Sequence, residues 1–390
     1  MADFDTLQWP FFEDRHRDYA ASVEAWAAGT LEPLLESQAF QAATVDGRCQ
    51  QLIEALGASG LLEVCAPAAG AEAFDVRSIC LAREILARRS ALAEYVFAMQ
   101  GLGSGPITLL GSPEQRERYL PGVRAGHRVA AFALSEPEAG SDASAISTTA
   151  RATADGWVID GEKTWISNGG IAHQYVVFAR TGEAPGAKGL SAFIVEADQP
   201  GLIVADRLEM MSPHPIARLR FEACEVGRAQ LLGHPGEGFK IAMATLDVFR
   251  TTVAAAALGF ARRALAEASR RAATRIAMGK PLIEHQLIQG KIADMCCAVD
   301  QSALLVYRSA WTRDVLKRRV TRESSMAKLC ATEAAQQVID DAVQIFGGLG
   351  VMTGVPVEEL YRDIRALRIY EGASEVQKVI IARQHMASLG

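Results

Sequence analysis

The sequence predicts an α+β protein in three consecutive parts: an N-terminal helical domain over residues 1–125, an antiparallel β domain over 126–236, and a C-terminal bundle of four long helices over 237–390. Two observations predict it. Apolar residues recur every three to four positions up to about residue 125, every second position over the next hundred or so, and every three to four again from about Gly238 onward. Turn-forming Gly, Pro and Asp residues punctuate each part at the spacing those elements require.

In the first part, Arg17–Ala28, Gly47–Gly57, Val76–Arg89 and Pro113–Leu120 carry the helical period, and Ser112 ahead of Pro113 is an N-cap followed by proline at the first helical position. Gly101, Gly103 and Gly105 form a GxGxG that follows a helical pattern rather than a strand, so it is a poor phosphate loop. In the second part the strands are Arg128–Leu134, Gly156–Asp160, Gln174–Ala179, Leu190–Val195 and Ile216–Cys224, with Asp155-Gly156 and Asp160-Gly161 as tight-turn signals. The polar stretches SEPEAGSD (Ser135–Asp142) and KTWISNG (Lys163–Gly169) read as loops that present hydroxyls and backbone N–H groups. The third part contains Phe239–Met278, Ile283–Arg318, Glu323–Phe346 and Ser374–Met386, long stretches broken only by short turns.

Composition narrows the function. The chain has 390 residues, a net charge of −6, 49% hydrophobic and 22% charged residues, which suits a folded globular protein and offers no attraction to nucleic acid or to an anionic membrane. Its seven cysteines are scattered without a C-x-x-C, against both a disulfide framework and a zinc site, so no metal is expected. The acidic start lacks a basic, then apolar, leader, and the apolar run Val253–Ala261 is short of a membrane span; a cytoplasmic location is the expectation.

The stretch RIYEGASE (Arg368–Glu375) holds the strongest chemical candidate. A carboxylate followed by glycine, between an apolar run and a helix, can project from a tight turn into a pocket, and in water-poor surroundings its pKa rises toward the range of a proton acceptor. Glu371 is that candidate base; the alternative is a solvated or capping glutamate.

Five motifs in one order resemble the acyl-CoA dehydrogenase family: FALSEPEAGSD (Phe132–Asp142), KTWISNGG (Lys163–Gly170), LDVFRTTVAAAALG (Leu246–Gly259), RIAMGKPLIEHQ (Arg275–Gln286), and QIFGGLG (Gln344–Gly350) with IYEGASE (Ile369–Glu375). The resemblance implies α,β-desaturation of an acyl-CoA thioester, with Glu371 removing the α-proton while the β-hydride passes to N5 of FAD. It implies that Phe132, Leu134, Ser135, Trp165, Ile166 and Ser167 surround the flavin ring, with Ser141 near the phosphates of FAD and CoA. Asp247, Arg250 and Gly372 would meet the substrate. Arg275, Gln286, Gln344, Gly347 and Gly348 would grip the FAD pyrophosphate and adenine across a subunit interface, with Ala373 and Glu375 also near the cofactor. A homo-oligomer, as a dimer of dimers, and an electron-transfer flavoprotein as acceptor follow from the same resemblance. The glycine after Glu371 is expected because the backbone there must approach the thioester closely.

Departures from the family pattern are confined. Ala277 and Met278 stand where a polar residue and Phe are usual, Ala373 replaces Thr, and Val351 replaces Tyr. Glu209–Ile216 carries Pro213 and Pro215 on either side of His214, which makes a rigid loop that shapes the substrate mouth or a plain surface connection. Phe249 occupies a position where some members carry an alternative catalytic Glu. Glu94 and Tyr95 fall in the region that sets acyl specificity, with Glu94 expected to face solvent. An oxidase or a dehydrogenase of carrier-protein thioesters shares the fold, and a non-catalytic flavoprotein is the alternative from another class.

Overall fold

A computed structural model describes residues 4–68 and 74–389. The N-terminal helices are α1 (Asp14–Trp26), α2 (Glu32–Glu36), α3 (Gln38–Ala42), α4 (Val45–Ala58), α5 (Val76–Arg89), α6 (Ala91–Leu110) and α7 (Pro113–Arg124). Strands β1 (Ala130–Ala133), β2 (Thr149–Ala152), β3 (Gly156–Ser167), β4 (Gln174–Arg180), β5 (Leu190–Glu196), β6 (Leu202–Arg207), β7 (Ile216–Gly227) and β8 (Leu231–Leu232) follow. The chain closes with α8 (Gly238–Thr274), the hairpin β9 (Ile276–Ala277) and β10 (Lys280–Pro281), α9 (Gln286–Asp314), α10 (Thr321–Phe346), α11 (Pro356–Leu367) and α12 (Ser374–Ala387).

By contacts the chain divides into two units built from interleaved segments. One gathers the stretch ending at Ala27, Val76–Glu94 and the chain from Asp247 onward; the other gathers Ala28–Asp75 and Tyr95–Leu246. In the first unit α5 is buried from Val76 to Ala87, charges included. Its charges are met by side chains far along the sequence: Arg77 by Asp314 at 3.2 Å, Glu84 by Arg262 at 2.9 Å and by the Tyr307 hydroxyl. α8 comes close to α5 at Gly259, where a Cβ would sit 2.4 Å from the Glu84 carbonyl oxygen. α8 is long and apolar enough to cross a membrane, but 89% of its apolar window is buried inside the protein, as in a core helix.

In the second unit an eight-stranded sheet runs β6-β7-β3-β2-β4-β5-β8, with β1 paired to β4. Most pairs are antiparallel as expected, but β1 and β2 pair parallel with β4, so the sheet is mixed. The Asp160-Gly161 turn signal is a β-bulge within β3 instead, with Gly161 at φ +144° and no room for a Cβ beside Thr148. KTWIS belongs to the same strand, not to a loop. Gly103 of α6 serves packing: a Cβ there would meet the β1 backbone of Ala130 at 2.6 Å.

Candidate active site

The base turn joins α11 to α12 in the first unit. Glu371 takes φ +53° and Gly372 φ +95°, two consecutive left-handed residues, of which only glycine adopts that region without cost. The φ of Gly372 is one that a side chain would strain, so the glycine is already favoured by the fold of the turn itself, and a Cβ there would also displace the Gln377 amide, whose Nε2 lies 2.4 Å away. Side chains from three helices hold its carbonyls. Gln377 of α12 donates to Glu371 O at 3.2 Å and Gly372 O at 2.9 Å; Lys328 of α10 donates to Gly372 O at 2.8 Å; Arg250 of α8 donates to Glu371 O at 3.3 Å. Arg368 and Ser374 both bind Glu333, fastening the two ends of the turn to α10.

Glu371 is half-buried as a residue, but its Oε2 is shielded from solvent and has no hydrogen-bond partner among the described residues. Burial raises its pKa, Arg83, Arg250 and Lys328 pull it down, Glu94 pushes it up, and the balance leaves the carboxyl at about 7. An acid poised near neutrality with an unsatisfied oxygen is suited to accept a proton.

One expectation changes here. Glu94 does not face solvent: it is buried and pairs with Arg83 at 2.5 Å, and Arg83 also donates to Thr252 Oγ1 at 2.8 Å. The α6 segment is apolar on all sides, so its period gave no outward face to read. Asp247 and Arg250 are a buried pair at 2.9 Å, with Asp247 also bound by Thr321 at 2.7 Å. Phe249 is fully buried. Sequence reasoning missed Arg83, Lys328, Glu333 and Gln377; the signal for Lys328 was a charge on the buried stripe of α10 that runs through Ser324, Ala327, Ala331, Ala335 and Val338.

In the second unit, Trp165 sits at φ +58° in a break of the β3–β7 register, which turns its indole out of the sheet, 58% exposed, while Thr164 and Ile166 stay buried. Ile166 can therefore offer only its backbone. Phe132 packs on Phe178 with ring centroids 4.9 Å apart, Leu134 is buried, Ser135 and Ser167 are half-buried, and Ser141 is exposed. The loop after β1 is fastened from inside. Lys163 donates to Glu136 at 2.8 Å and to Leu134 O at 3.0 Å, Glu136 accepts from Ser147 and Thr148, and Thr164 N donates to Ser135 O at 3.0 Å. Burial opposes the charge on Glu136, but Lys163 and these donors outweigh it and hold the carboxyl at about 2. His214 lies in no plain connection: its ring is 4.5 Å from that of Tyr95, whose hydroxyl donates to Pro215 O at 2.8 Å.

Arg275, Gln286, Gln344, Gly347 and Gly348 are exposed, and the ends that carry them converge in the first unit. Lys291 of α9 pairs with Asp341 of α10, and Arg271 of α8 lies over the Phe346 ring at 5.7 Å. Ala373 is half-buried and Glu375 exposed.

The chain matches three sequence families in series: "Acyl-CoA dehydrogenase, N-terminal domain" over residues 13–127, "Acyl-CoA dehydrogenase, middle domain" over 131–224 and "Acyl-CoA dehydrogenase, C-terminal domain" over 236–386. The chain belongs to the acyl-CoA dehydrogenase family. This acyl-CoA dehydrogenase is 42% identical over 334 residues to the mitochondrial short-chain specific acyl-CoA dehydrogenase of Homo sapiens, covering 85% of this chain and 81% of that one. Its fold matches butyryl-CoA dehydrogenase from Megasphaera elsdenii with a TM-score of 0.88 at 33% identity, covering 96% and 99% of the two chains. A chain from the structure of the electron transferring flavoprotein of Acidaminococcus fermentans gives 0.89 at 35%, covering 96% and 98%. Acyl-CoA dehydrogenases are FAD-dependent oxidoreductases. The residues present fit that cofactor: an exposed indole held in a strained backbone beside half-buried hydroxyls suits a flat ring with polar edges.

Proposed function

We propose that this acyl-CoA dehydrogenase introduces an α,β double bond into a short acyl-CoA, with Glu371 as the base. The observation that carries the reading is the shielded, unpartnered Oε2 of Glu371 on a turn whose conformation opposes a side chain. The α C–H bond breaks toward Glu371, which keeps the proton, and the β-hydrogen leaves with the bond's electron pair as the double bond forms. FAD, when bound, supplies the acceptor for that hydrogen and its electrons. Trp165 would cover the ring, and Ser135 and Ser167 would meet its edge; Asp247 and Arg250 would fix the end of the base turn that faces CoA. A short chain is supported by the names of the relatives, and by the charged pair Arg83–Glu94 near the base, a poor neighbour for a long hydrocarbon. Homo-oligomerisation and transfer of the electrons to an electron-transfer flavoprotein complete the proposal.

The test is anaerobic addition of a panel of acyl-CoAs to the purified protein. A short member bleaches the flavin absorbance, and Glu371→Gln binds FAD and substrate but is reduced about 10²–10⁴ times more slowly. Bleaching by no thioester, or near wild-type reduction of Glu371→Gln, overturns the reading.

A further inference from the structure

Lys328 lies on the face of α10 that packs inward, where Ala327, Ala331 and Thr332 are also buried, and none of its surface reaches solvent. Burying an ammonium is costly unless it is bound and balanced. Among the described residues its ammonium makes one hydrogen bond, to Gly372 O at 2.8 Å. A methionine or leucine would fill the same space more cheaply, so the helix gains nothing in packing from the charge.

The base turn explains it. With Glu371 and Gly372 both left-handed, the turn belongs to no helical or sheet ladder, and its two carbonyl oxygens depend on side chains. Gln377 comes from the same local segment and is neutral, and Arg250 reaches Glu371 O only at 3.3 Å. Lys328 is the short, charged link from a separate helix.

We infer that Lys328 is a positioning residue: it pins the carbonyl of Gly372, the residue after the base, to α10 and keeps a positive charge beside the catalytic carboxylate. The inference rests on the reading of Glu371 as the base. The charged groups that act on Glu371 are Arg83 on α5, Glu94 on α6, Arg250 on α8 and Lys328 on α10; those that act on Lys328 are Glu371, Glu333, Arg250 and Arg368. Burial pulls Lys328 down to about 8 while the two carboxylates support its charge, so near neutrality it is mostly protonated.

Three variants separate the roles. Lys328→Gln keeps an N–H donor and loses the charge, Lys328→Met loses both, and Lys328→Arg keeps the charge. The first readout is the titration of the Glu371 carboxyl by difference infrared spectroscopy on the FAD-loaded, substrate-free protein, its band assigned by its loss in Glu371→Gln. Lys328→Gln and Lys328→Met move that midpoint up by about one pH unit, and Lys328→Arg leaves it in place. The second readout is the pH profile of turnover. Lys328→Gln regains its rate at high pH with an unchanged KM, whereas Lys328→Met also loses about ten- to a hundredfold in kcat at every pH. Unmoved midpoints in both neutral variants, or a loss confined to KM, overturn the inference. If Lys328→Met does not fold, the Gln and Arg variants decide alone. If no thioester reduces the wild type, the functional reading falls, and the infrared titration still decides whether the charge of Lys328 acts on Glu371.

Discussion

Glu371 is harder to ionise in the folded chain, at about 7, than its ordinary value of 4.5. The sign follows: the fold holds that proton more tightly than the unfolded chain does, so the wild type is favoured below 4.5 and loses stability as pH rises toward 7. Glu371→Gln has no such titration. Its stability relative to wild type should therefore be greater at pH 8 than at pH 5, by at most on the order of 3 kcal/mol. Chemical denaturation at the two pH values measures this, and an equal difference at both would remove the burial argument. The sequence offered Glu371 and its glycine as a candidate against a solvated or capping glutamate, and the five motifs in one order favoured the first reading. It could not show the left-handed φ of Glu371, since the carbonyls of that turn are held by Arg250 of α8 and Lys328 of α10, both distant in sequence, as well as by the local Gln377.

At the scale of elements, β3 and the loop after β1, which carry the residues proposed to face the flavin, are joined by one buried pair, Glu136–Lys163. Removing one partner strands the other charge, so Lys163→Met should cost about 3–5 kcal/mol, and Glu136→Leu with Lys163→Met together should cost less than the single change. Urea unfolding of the three proteins checks the order, and retained FAD should fall with the single variant because Leu134 loses its anchor. The strand alternation was legible in the sequence, whereas the course of β3 was not. Asp160-Gly161 carries the same two letters as a hairpin turn, and only pairing with β7 makes it a bulge. The helical pattern ahead of Gly101 was legible, whereas its continuation to Leu110 was not marked out, because α6 is largely buried and Gly103 meets β1, which erases the period that betrays a half-exposed helix.

At the scale of the molecule, the bundle end that carries Arg275, Gln286 and Gln344 also exposes apolar side chains: Met278 is 95% and Leu287 85% exposed, with Ile276, Val351 and Met352 also open. Such a patch suits a second copy of the chain. Leu287→Glu should shift the protein to a smaller species in light scattering and weaken FAD retention, while an unchanged mass would exclude this end from the interface. The interleaving of the two units has a consequence for synthesis. α5 emerges early, yet Arg77 meets Asp314 across 237 residues of chain. At ribosomal speeds that interval lasts on the order of 10–50 s. Throughout it, Arg77 can meet only its N-terminal partners Glu13 and Phe11 O, and Glu84 lacks both Arg262 and Tyr307, so the helix that becomes the centre of its unit completes its ion pairs only after α9 has left the ribosome.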